Sequence, residues 1–270
     1  MGIRQKIGSL FSEPQREMLK NLFYMALYPD YGVKLKSHKL ASYSVKNATP
    51  AFWSADNKKP HGTMMTNFGF PHFLLARAMV RMCDVKSWCD IGTGSATLPF
   101  QVARLGIVGV FAIDGSDAAL RAGRVQLPLS NYCVSDICLP LEIESGNDGL
   151  VRFDVVSALE LVEHIPDSKL EGLFDNIKRL QPQYIVFAIG LQPDPPYHVN
   201  LKSMSAWLEY IASMLPGWNY DDILSTKIFE GTHRNSRYVN AYHTNHLPRN
   251  RNLAIFTRRD RTLLQRNDIN

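Results

Sequence analysis

The chain has 270 residues, of which 45% are hydrophobic and 20% are charged, a composition typical of a globular protein. A net charge of +5 is compatible with an anionic partner, but the basic residues do not form the dense cluster that indicates nucleic-acid binding. No apolar run is long enough to span a membrane, and the first eleven residues lack a signal-peptide core, so we expect a soluble, cytoplasmic protein.

Residues 1–80 are predicted to form a helical and lid segment. Apolar residues spaced three and four apart predict a helix from Pro14 to Tyr28. Residues 61–72 mix histidines, glycines and aromatic residues, which indicates a lid over a ligand, although an irregular loop packed on a core explains the same pattern. Residues 73–82 are predicted to form the helix that leads into the first strand.

Residues 81–262 are predicted to form one α/β domain, and residues 263–270 a frayed tail. Short apolar runs predict five successive strands, near 87–91, 108–113, 132–134, 153–159 and 184–189. Helical patterns lie between these runs, and this alternation predicts a parallel sheet. Two later runs, Ile223–Phe229 and Leu253–Thr257, are predicted to be antiparallel strands at the sheet edge.

A glycine-rich turn follows the first predicted strand, with Asp90 two residues before Gly92 and Gly94 two residues after it. Such a turn lets the backbone approach a ligand closely, and the next helix start directs N–H groups at that ligand. A dinucleotide site would have glycine or alanine where this chain has Thr97, and the Asp90 carboxylate would repel a pyrophosphate. The pattern therefore favours S-adenosylmethionine (SAM), although an ordinary glycine turn stays open.

Two more acids follow the next two predicted strands. Asp114 lies 22 residues beyond Gly92, at the end of the second strand, where an acid can accept both hydroxyls of a ribose. Asp136 follows the third strand and could accept a hydrogen bond from an adenine amino group. A simple turn aspartate explains Asp136 equally well.

An acid–histidine group follows the fourth predicted strand. Glu160, Glu163 and His164 have the i, i+3, i+4 spacing that places side chains on one face of a helical turn. Because two carboxylates and an imidazole would converge at the carboxyl end of a strand, a divalent cation (Mg, Mn, Fe or Zn) is an economical explanation. His198, after the fifth strand, is a plausible fourth ligand. His164 as a metal-free general base, or a purely structural pair, are the alternatives.

The last third of the chain holds further histidines and arginines. His233, His243 and His246 are predicted to be surface or substrate contacts rather than metal ligands. Arginines near the C-terminus keep an RNA substrate open; they are Arg249, Arg251, Arg258, Arg259 and Arg261.

Taken together, these motifs resemble the class I SAM-dependent methyltransferases over roughly residues 85–257. Residues 90–94 resemble the first motif of that family, Asp114 its ribose acid, and Asp136 with Ile137 its adenine-side motif. The resemblance implies a Rossmann-like seven-stranded methyltransferase sheet, with helices on both faces and an antiparallel last strand. It also implies that SAM is bound by the residues at these motifs: Asp90, Gly92, Gly94, Asp114, Asp136 and Ile137.

The E-x-x-E-H form of residues 160–164 is similar to that of ubiquinone-pathway O-methyltransferases. It is also similar to that of small-RNA 3′-terminal 2′-O-methyltransferases, in which two glutamates, a histidine and a later histidine hold a divalent metal. Residues 198–200 resemble a stretch of bacterial sugar methyltransferases.

These resemblances imply O-methyl transfer to a hydroxyl of a sugar, glycan or small molecule, with Glu163, His164 and His198 as the catalytic residues. RNA ribose methylation is the runner-up. A non-catalytic SAM-binding partner subunit is carried as an alternative from a different class, and an NAD-dependent enzyme is disfavoured by Asp90 and Thr97.

Overall fold

The computed structural model describes residues 12–49, 69–145, 151–192, 198–233 and 252–259. Its contacts divide the chain into two compact units, Met1–Leu35 and Lys36–Asn270. In the first unit, helix α1 (Glu13–Leu27) confirms the predicted helix and has a proline in its first turn, where no backbone N–H is needed. The predicted domain boundary at residue 80 stays a prediction.

The described part of the second unit alternates strands and helices, as the sequence pattern indicates. Its strands are β1 (Tyr43–Val45), β2 (Ser87–Ile91), β3 (Gly109–Asp114), β4 (Tyr132–Val134), β5 (Ile143–Ser145), β6 (Val155–Leu159), β7 (Tyr184–Ala188), β8 (Trp218–Tyr220) and β9 (Leu253–Arg258). Its helices are α2 (Gly69–Met82), α3 (Thr97–Arg104), α4 (Ala118–Arg121), α5 (Asp167–Arg179), α6 (Met204–Met214) and α7 (Asp222–His233). Among the described helices, none is both long enough and apolar enough to cross a membrane.

Seven strands form one sheet in the order β4-β3-β2-β6-β7-β9-β8. Strands β2, β3, β4, β6 and β7 are parallel, and β9 runs antiparallel to both β7 and β8. The fold class is therefore confirmed as the Rossmann-like methyltransferase sheet. The strand order reverses between β2 and β6, and open α/β sheets bind their ligands at the carboxyl ends of the strands at such a point.

The sheet is covered on both faces because its strands are apolar on both. Alternate residues of the central strands, such as Cys89, Phe111 and Phe187, join one buried cluster with the apolar sides of α5 and α6. The residues between them point the opposite way, and α3 contacts β2 and β3 while α7 contacts β9. This double burial explains why the strands read as continuous apolar runs.

The predicted strand over Ile223–Phe229 is wrong, because these residues lie in α7. The Oδ1 atom of Asp221 accepts a hydrogen bond from Leu224 N at 2.9 Å, which caps the helix start. The antiparallel partner of β9 at the sheet edge is instead the short strand β8.

Part of the predicted lid is also helical, because α2 begins at Gly69 rather than at Phe73. Pro71 stands in the first turn of α2, where the missing N–H costs no helix hydrogen bond. The rest of the predicted lid, residues 61–68, lies outside the described residues. Strands β1 and β5 form a small antiparallel ribbon that the sequence pattern does not predict.

Candidate active site

The glycine turn after β2 is built from backbone groups. The N–H groups of Gly92 and Thr93 both donate to Ile113 O, at 2.8 and 3.2 Å. Gly92 and Gly94 have φ angles of +74° and +55°, in the left-handed region that glycine adopts readily. A Cβ atom on Gly92 would lie 2.6 Å from the Cδ1 atom of Leu161, so a larger residue would displace that side chain. The turn is thus held tightly against the chain segment that carries the acid–histidine group.

Asp114 closes the turn from the end of β3. Its Oδ2 atom accepts from Gly94 N at 2.6 Å and its Oδ1 atom accepts from Ser116 N at 2.7 Å. Burial raises the pKa of Asp114 to about 6, although the two N–H bonds oppose that rise. Each carboxylate oxygen keeps a second lone pair with which it can accept from a ligand hydroxyl.

Asp90 is a buried carboxyl within β2, under the glycine turn. It accepts a hydrogen bond from the Oγ atom of Ser157 in the neighbouring strand β6. Burial raises the pKa of Asp90 to about 7, and the charge of Asp114 adds to the rise, whereas Ser157 and Thr93 oppose it. Asp90 and Asp114 are therefore brought to the same turn, as predicted, in a setting that favours a positively charged ligand.

The adenine-side pair follows β4. The Oδ1 atom of Asp136 accepts from Cys138 N at 2.9 Å, and Asp136 N donates to Thr49 Oγ1 at 2.9 Å. Ile137 is 5% exposed and its side chain lies in the apolar core, so only its backbone is available to a ligand. The contribution of Thr49 cannot be read from the sequence, because it depends on contacts 87 residues apart. The ligand roles of Asp136 and Ile137 stay predictions.

The backbone of the acid–histidine group differs from the single helical turn that the sequence predicts. Glu160 follows β6 with a φ of +49°, and only Val162–His164 form a 3-10 helix. The single-helix-face prediction is therefore wrong for Glu160, since a left-handed residue cannot belong to a right-handed helical turn. Left-handed backbone at a non-glycine residue is strained and is common at functional sites.

Three side chains of the group come close enough to share a cation. Ligand atoms of Glu163, His164 and His198 all lie within 4.8 Å of one another. The imidazole rings of His164 and His198 meet edge to face, with centroids 4.7 Å apart. The Nδ1 atom of His198 lies 2.6 Å from Gln192 O, and because a carbonyl only accepts, Nδ1 is the donor and Nε2 is the ring nitrogen left to face a cation.

The carboxyl groups of Glu160 and Glu163 are buried close enough to affect each other's pKa. Burial raises the pKa of Glu160 well above its ordinary value, and the charge of Glu163 raises it further. Burial likewise raises the pKa of Glu163, although its backbone hydrogen bonds and the charge of His198 oppose the rise. The Oε1 atom of Glu163 accepts from Gly190 N at 2.8 Å, whereas Oε2 is buried and has no hydrogen-bond partner among the described residues. Two carboxylates, two imidazoles and an unpartnered buried oxygen fit a divalent cation.

Three residues that the sequence prediction missed support this cluster. A Cβ atom on Gly190 would lie 2.5 Å from Glu163 Oε1 and 2.6 Å from His198 Cε1, so only glycine fits there. Asn252 donates from Nδ2 to Glu160 Oε1 at 3.2 Å. Asn200 donates from its backbone N to Glu163 O at 3.0 Å, which ties the His198 loop to the 3-10 helix. Of the three, only Gly190 could have been found from the sequence, because a glycine directly after an apolar strand run indicates a close backbone approach.

Among the histidines and arginines predicted in the last third of the chain, those that the structure describes lie away from the candidate site. The side chain of His233 and residues 234–251, which include His243 and His246, lie outside the described structure. Arg258 lies over the Trp218 ring, with the guanidinium carbon 5.9 Å from the centroid. Its neighbour Thr257 pairs with Tyr184, the first residue of β7. Arg258 therefore lies near the amino ends of the parallel strands, whereas the candidate site lies at their carboxyl ends.

Comparison with known proteins finds similarity to curated O-methyltransferases. No family model matches the chain. It is 28% identical over 140 residues to the ubiquinone biosynthesis O-methyltransferase of Neisseria meningitidis serogroup C (strain 053442), over 50% of this chain and 56% of that protein. It is 29% identical over 149 residues to the enzyme of the same name from Acinetobacter baumannii (strain AYE), over 50% and 55% of the two chains. The chain therefore spans about half the length of the curated relatives it matches.

Among solved structures, the methyltransferase domain of bacterial CtHen1 is similar with a TM-score of 0.46 and 13% identity, over 71% of this chain and 100% of that domain. The assignment of the fold rests on the strand order and directions of the chain itself, which are those of the class I methyltransferase sheet.

Proposed function

We propose that the chain is a SAM-dependent O-methyltransferase, with the methyl donor at the glycine turn and the acceptor hydroxyl at the acid–histidine cluster. The observation that carries this proposal is the contact between the two halves of the site. Leu161, which directly follows Glu160, occupies the space that a side chain on Gly92 would need. Both halves lie at the carboxyl ends of the adjacent parallel strands β2 and β6. Similarity to curated O-methyltransferases supports the reaction type.

The donor half provides a complementary group for each part of SAM. Asp114 accepts from the ribose hydroxyls, and Asp136 accepts from the adenine amino group. Asp90 faces the positively charged methionine part of the donor. The turn at Gly92 and Gly94 lets the backbone lie against the ligand without a Cβ in the way. With these groups fixed before binding, the sulfonium methyl would lie at the carboxyl ends of the strands, and such positioning supplies much of the rate.

In the acceptor half, Glu163, His164 and His198 would hold a divalent cation (Mg, Mn, Fe or Zn), with Glu160 as the predicted fourth ligand. Such a cation, when bound, supplies a positive charge that lowers the pKa of an acceptor hydroxyl. The chain itself orients the donor set, because Gly190 N holds Glu163 Oε1 and Gln192 O holds His198 Nδ1. The His164 ring lies beside His198 in this set, with the two ring centroids 4.7 Å apart.

The acceptor that suits this half carries two adjacent hydroxyls. The three donors that converge, Glu163, His164 and His198, leave positions of a six-coordinate cation open, so that two substrate oxygens can bind even if Glu160 is a fourth ligand. Vicinal hydroxyls of a sugar, a glycan or a catechol match that arrangement. An RNA ribose terminus carries the same diol, but the two arginines described near the C-terminus, Arg258 and Arg259, lie at the end of β9 that is away from the cluster. A small-molecule or glycan hydroxyl is therefore the proposed substrate class.

The test is transfer of a labelled methyl group from SAM to a panel of catechols, sugar diols and ribonucleosides. We expect transfer to at least one diol, its loss with EDTA, and its recovery when a divalent cation is added. Transfer that survives EDTA and His198→Ala but is lost in His164→Ala would favour His164 as a metal-free general base over the cation. SAM binding without transfer to any acceptor would favour the non-catalytic partner subunit.

A further inference from the structure

Two buried hydrogen bonds link Trp88 to Ser157 and Ser157 to Asp90. The Nε1 atom of Trp88 donates to Ser157 Oγ at 2.8 Å, and Ser157 Oγ is hydrogen-bonded to Asp90 Oδ1. Trp88 and Ser157 are 0% exposed, and Asp90 is 4% exposed. Asp90 and Ser157 stand opposite each other in the register of β2 and β6, so two central strands fix the geometry.

The direction of these hydrogen bonds follows from the donors available. An indole N–H can only donate, so the Ser157 oxygen must accept from Trp88. The single hydroxyl proton of Ser157 is then left for Asp90. A hydroxyl that donates to a carboxyl stabilises its charged form, since that form only accepts. Trp88 thus orients Ser157, and Ser157 favours Asp90 as a carboxylate.

The groups around Asp90 act in the opposite direction. Burial and the charge of Asp114 favour the neutral acid and raise the pKa of Asp90 to about 7. Cys89 stands next to Asp90 in β2, and its own pKa is raised by burial and by the charge of Asp90, so it remains a neutral thiol. The hydrogen bonds from Ser157 and Thr93 counter these effects. Asp90 is therefore close to the balance between its two forms near neutral pH, and the loss of the Ser157 proton would tip it towards the neutral acid.

We propose that Ser157, oriented by Trp88, is a positioning residue that keeps Asp90 as a carboxylate for the ammonium group of the methionine part of SAM. This proposal rests on the proposed function, because it requires SAM at the glycine turn. It assigns a binding role to a serine and a tryptophan that lie within the sheet and do not touch the ligand. It also predicts that the effect of Ser157 depends on the amino-acid part of the ligand alone.

The test compares three ligands in calorimetric titrations of the full chain. SAM and S-adenosylhomocysteine both carry the ammonium group, but only SAM has the sulfonium charge, so an equal loss of affinity for these two assigns the loss to the ammonium group. 5′-Methylthioadenosine shares the adenosine part and lacks both the amino-acid part and the sulfonium charge. We expect Ser157→Ala to weaken SAM binding about tenfold at pH 7 and to leave methylthioadenosine binding within about twofold. Trp88→Phe should weaken SAM binding in the same sense but less, because Ser157 keeps its hydroxyl.

Ser225→Ala is the matched control. Ser225 is also a fully buried serine of the same domain, and it hydrogen-bonds to Asp221 O at 2.7 Å and to Ile255 N at 2.9 Å, away from Asp90. It should change the affinity for none of the three ligands. Equal losses for SAM and methylthioadenosine in Ser157→Ala, or no loss for either, would overturn the proposal. Failure of the unaltered chain to bind SAM would instead overturn the proposed function, and this inference with it.

Discussion

The two halves of the candidate site differ in how far the chain itself satisfies their polar groups. At the glycine turn, both carboxylate oxygens of Asp114 accept backbone N–H groups. At the acid–histidine cluster, Glu163 Oε2 is buried and has no partner within the described parts of the chain, and Glu160 has left-handed backbone. The turn is thus organised before a ligand arrives, whereas the cluster carries strain and unbalanced charge. Under the proposed function, this difference is that between a preformed donor site and an acceptor site that a cation would complete.

The largest effect is expected when the charge of the cluster is changed. Glu163→Gln keeps the size of the side chain but removes the negative charge that would hold a cation, so methyl transfer should fall by about a thousandfold or more while SAM affinity is retained. Labelled-methyl transfer and calorimetry with Mn²⁺ and with SAM measure the two halves separately. Glu171→Gln, an exposed glutamate on α5, is the control and should change none of these quantities. Unchanged Mn²⁺ affinity in Glu163→Gln would contradict the cluster's assignment.

The shape of the cluster is tested by Gly190→Ala. The added Cβ would meet Glu163 Oε1 at 2.5 Å and His198 Cε1 at 2.6 Å, which forces the two ligands apart. We expect cation affinity to fall about a hundredfold, with little change at the glycine turn. Gly217→Ala is the matched control, because a Cβ there would meet nothing within 4 Å. Equal effects of the two substitutions on cation affinity would count against a shape requirement at Gly190.

A smaller effect is expected for the loop that carries His198. Asn200 donates from Nδ2 to Ile165 O at 3.1 Å and to Asp167 Oδ1 at 2.9 Å, which fixes the loop beside the cluster. Asn200→Ala should weaken cation binding about ten- to thirtyfold, as loss of a supporting hydrogen bond does at other metal sites. Asn219→Ala, an exposed asparagine of β8, should leave cation affinity unchanged. A cation affinity for Asn200→Ala equal to that of the parent would show that His198 is held by other contacts.

The smallest effect is the pH dependence of the folded state, measured without cation or SAM. The pKa of Asp90 is raised to about 7 and that of Asp114 to about 6, so between pH 8 and pH 6 the folded chain takes up more protons than the unfolded chain. Their stabilising contribution is fully present below about pH 4 and is lost as the pH rises through about 7. Burial lowers the pKa of His72 to about 3, which acts in the opposite sense below about pH 6.5.

The net expectation is an unfolding free energy about 1 kcal/mol higher at pH 6 than at pH 8. Urea denaturation at the two pH values measures it. The difference should become smaller in Asp90→Asn, which removes the main titrating group of the turn. A lower unfolding free energy at pH 6 than at pH 8 in the parent chain would contradict the balance of charges at the turn.

The sequence predicts the donor half better than the acceptor half, for a physical reason. Asp90, Gly92 and Asp114 belong to strands and turns whose geometry follows from local apolar patterns, and the parallel sheet then aligns them. The sequence also predicts Glu160 and His164 at the end of a strand, but it does not predict the backbone of Glu160, because a left-handed residue leaves no periodic signal. The convergence of Glu163, His164 and His198 was predictable from strand order alone.

Contacts between distant parts of the chain account for what the sequence does not reveal. Asn252 and Glu160 are 92 residues apart, and Ser157 and Asp90 are 67 residues apart. The error over Ile223–Phe229 has a local origin, since β-branched and aromatic residues there suggest a strand while Asp221 caps a helix. Three-residue strands such as β8 carry too few positions for period-two alternation to stand out.

The most direct test of the account is calorimetric titration of the chain with SAM and with NAD. We expect SAM to bind, NAD not to bind, and Gly92→Ala to weaken SAM binding, because a φ of +74° is strained for alanine and the added Cβ would displace the Leu161 side chain. Tight binding of NAD without binding of SAM would contradict the account at its centre.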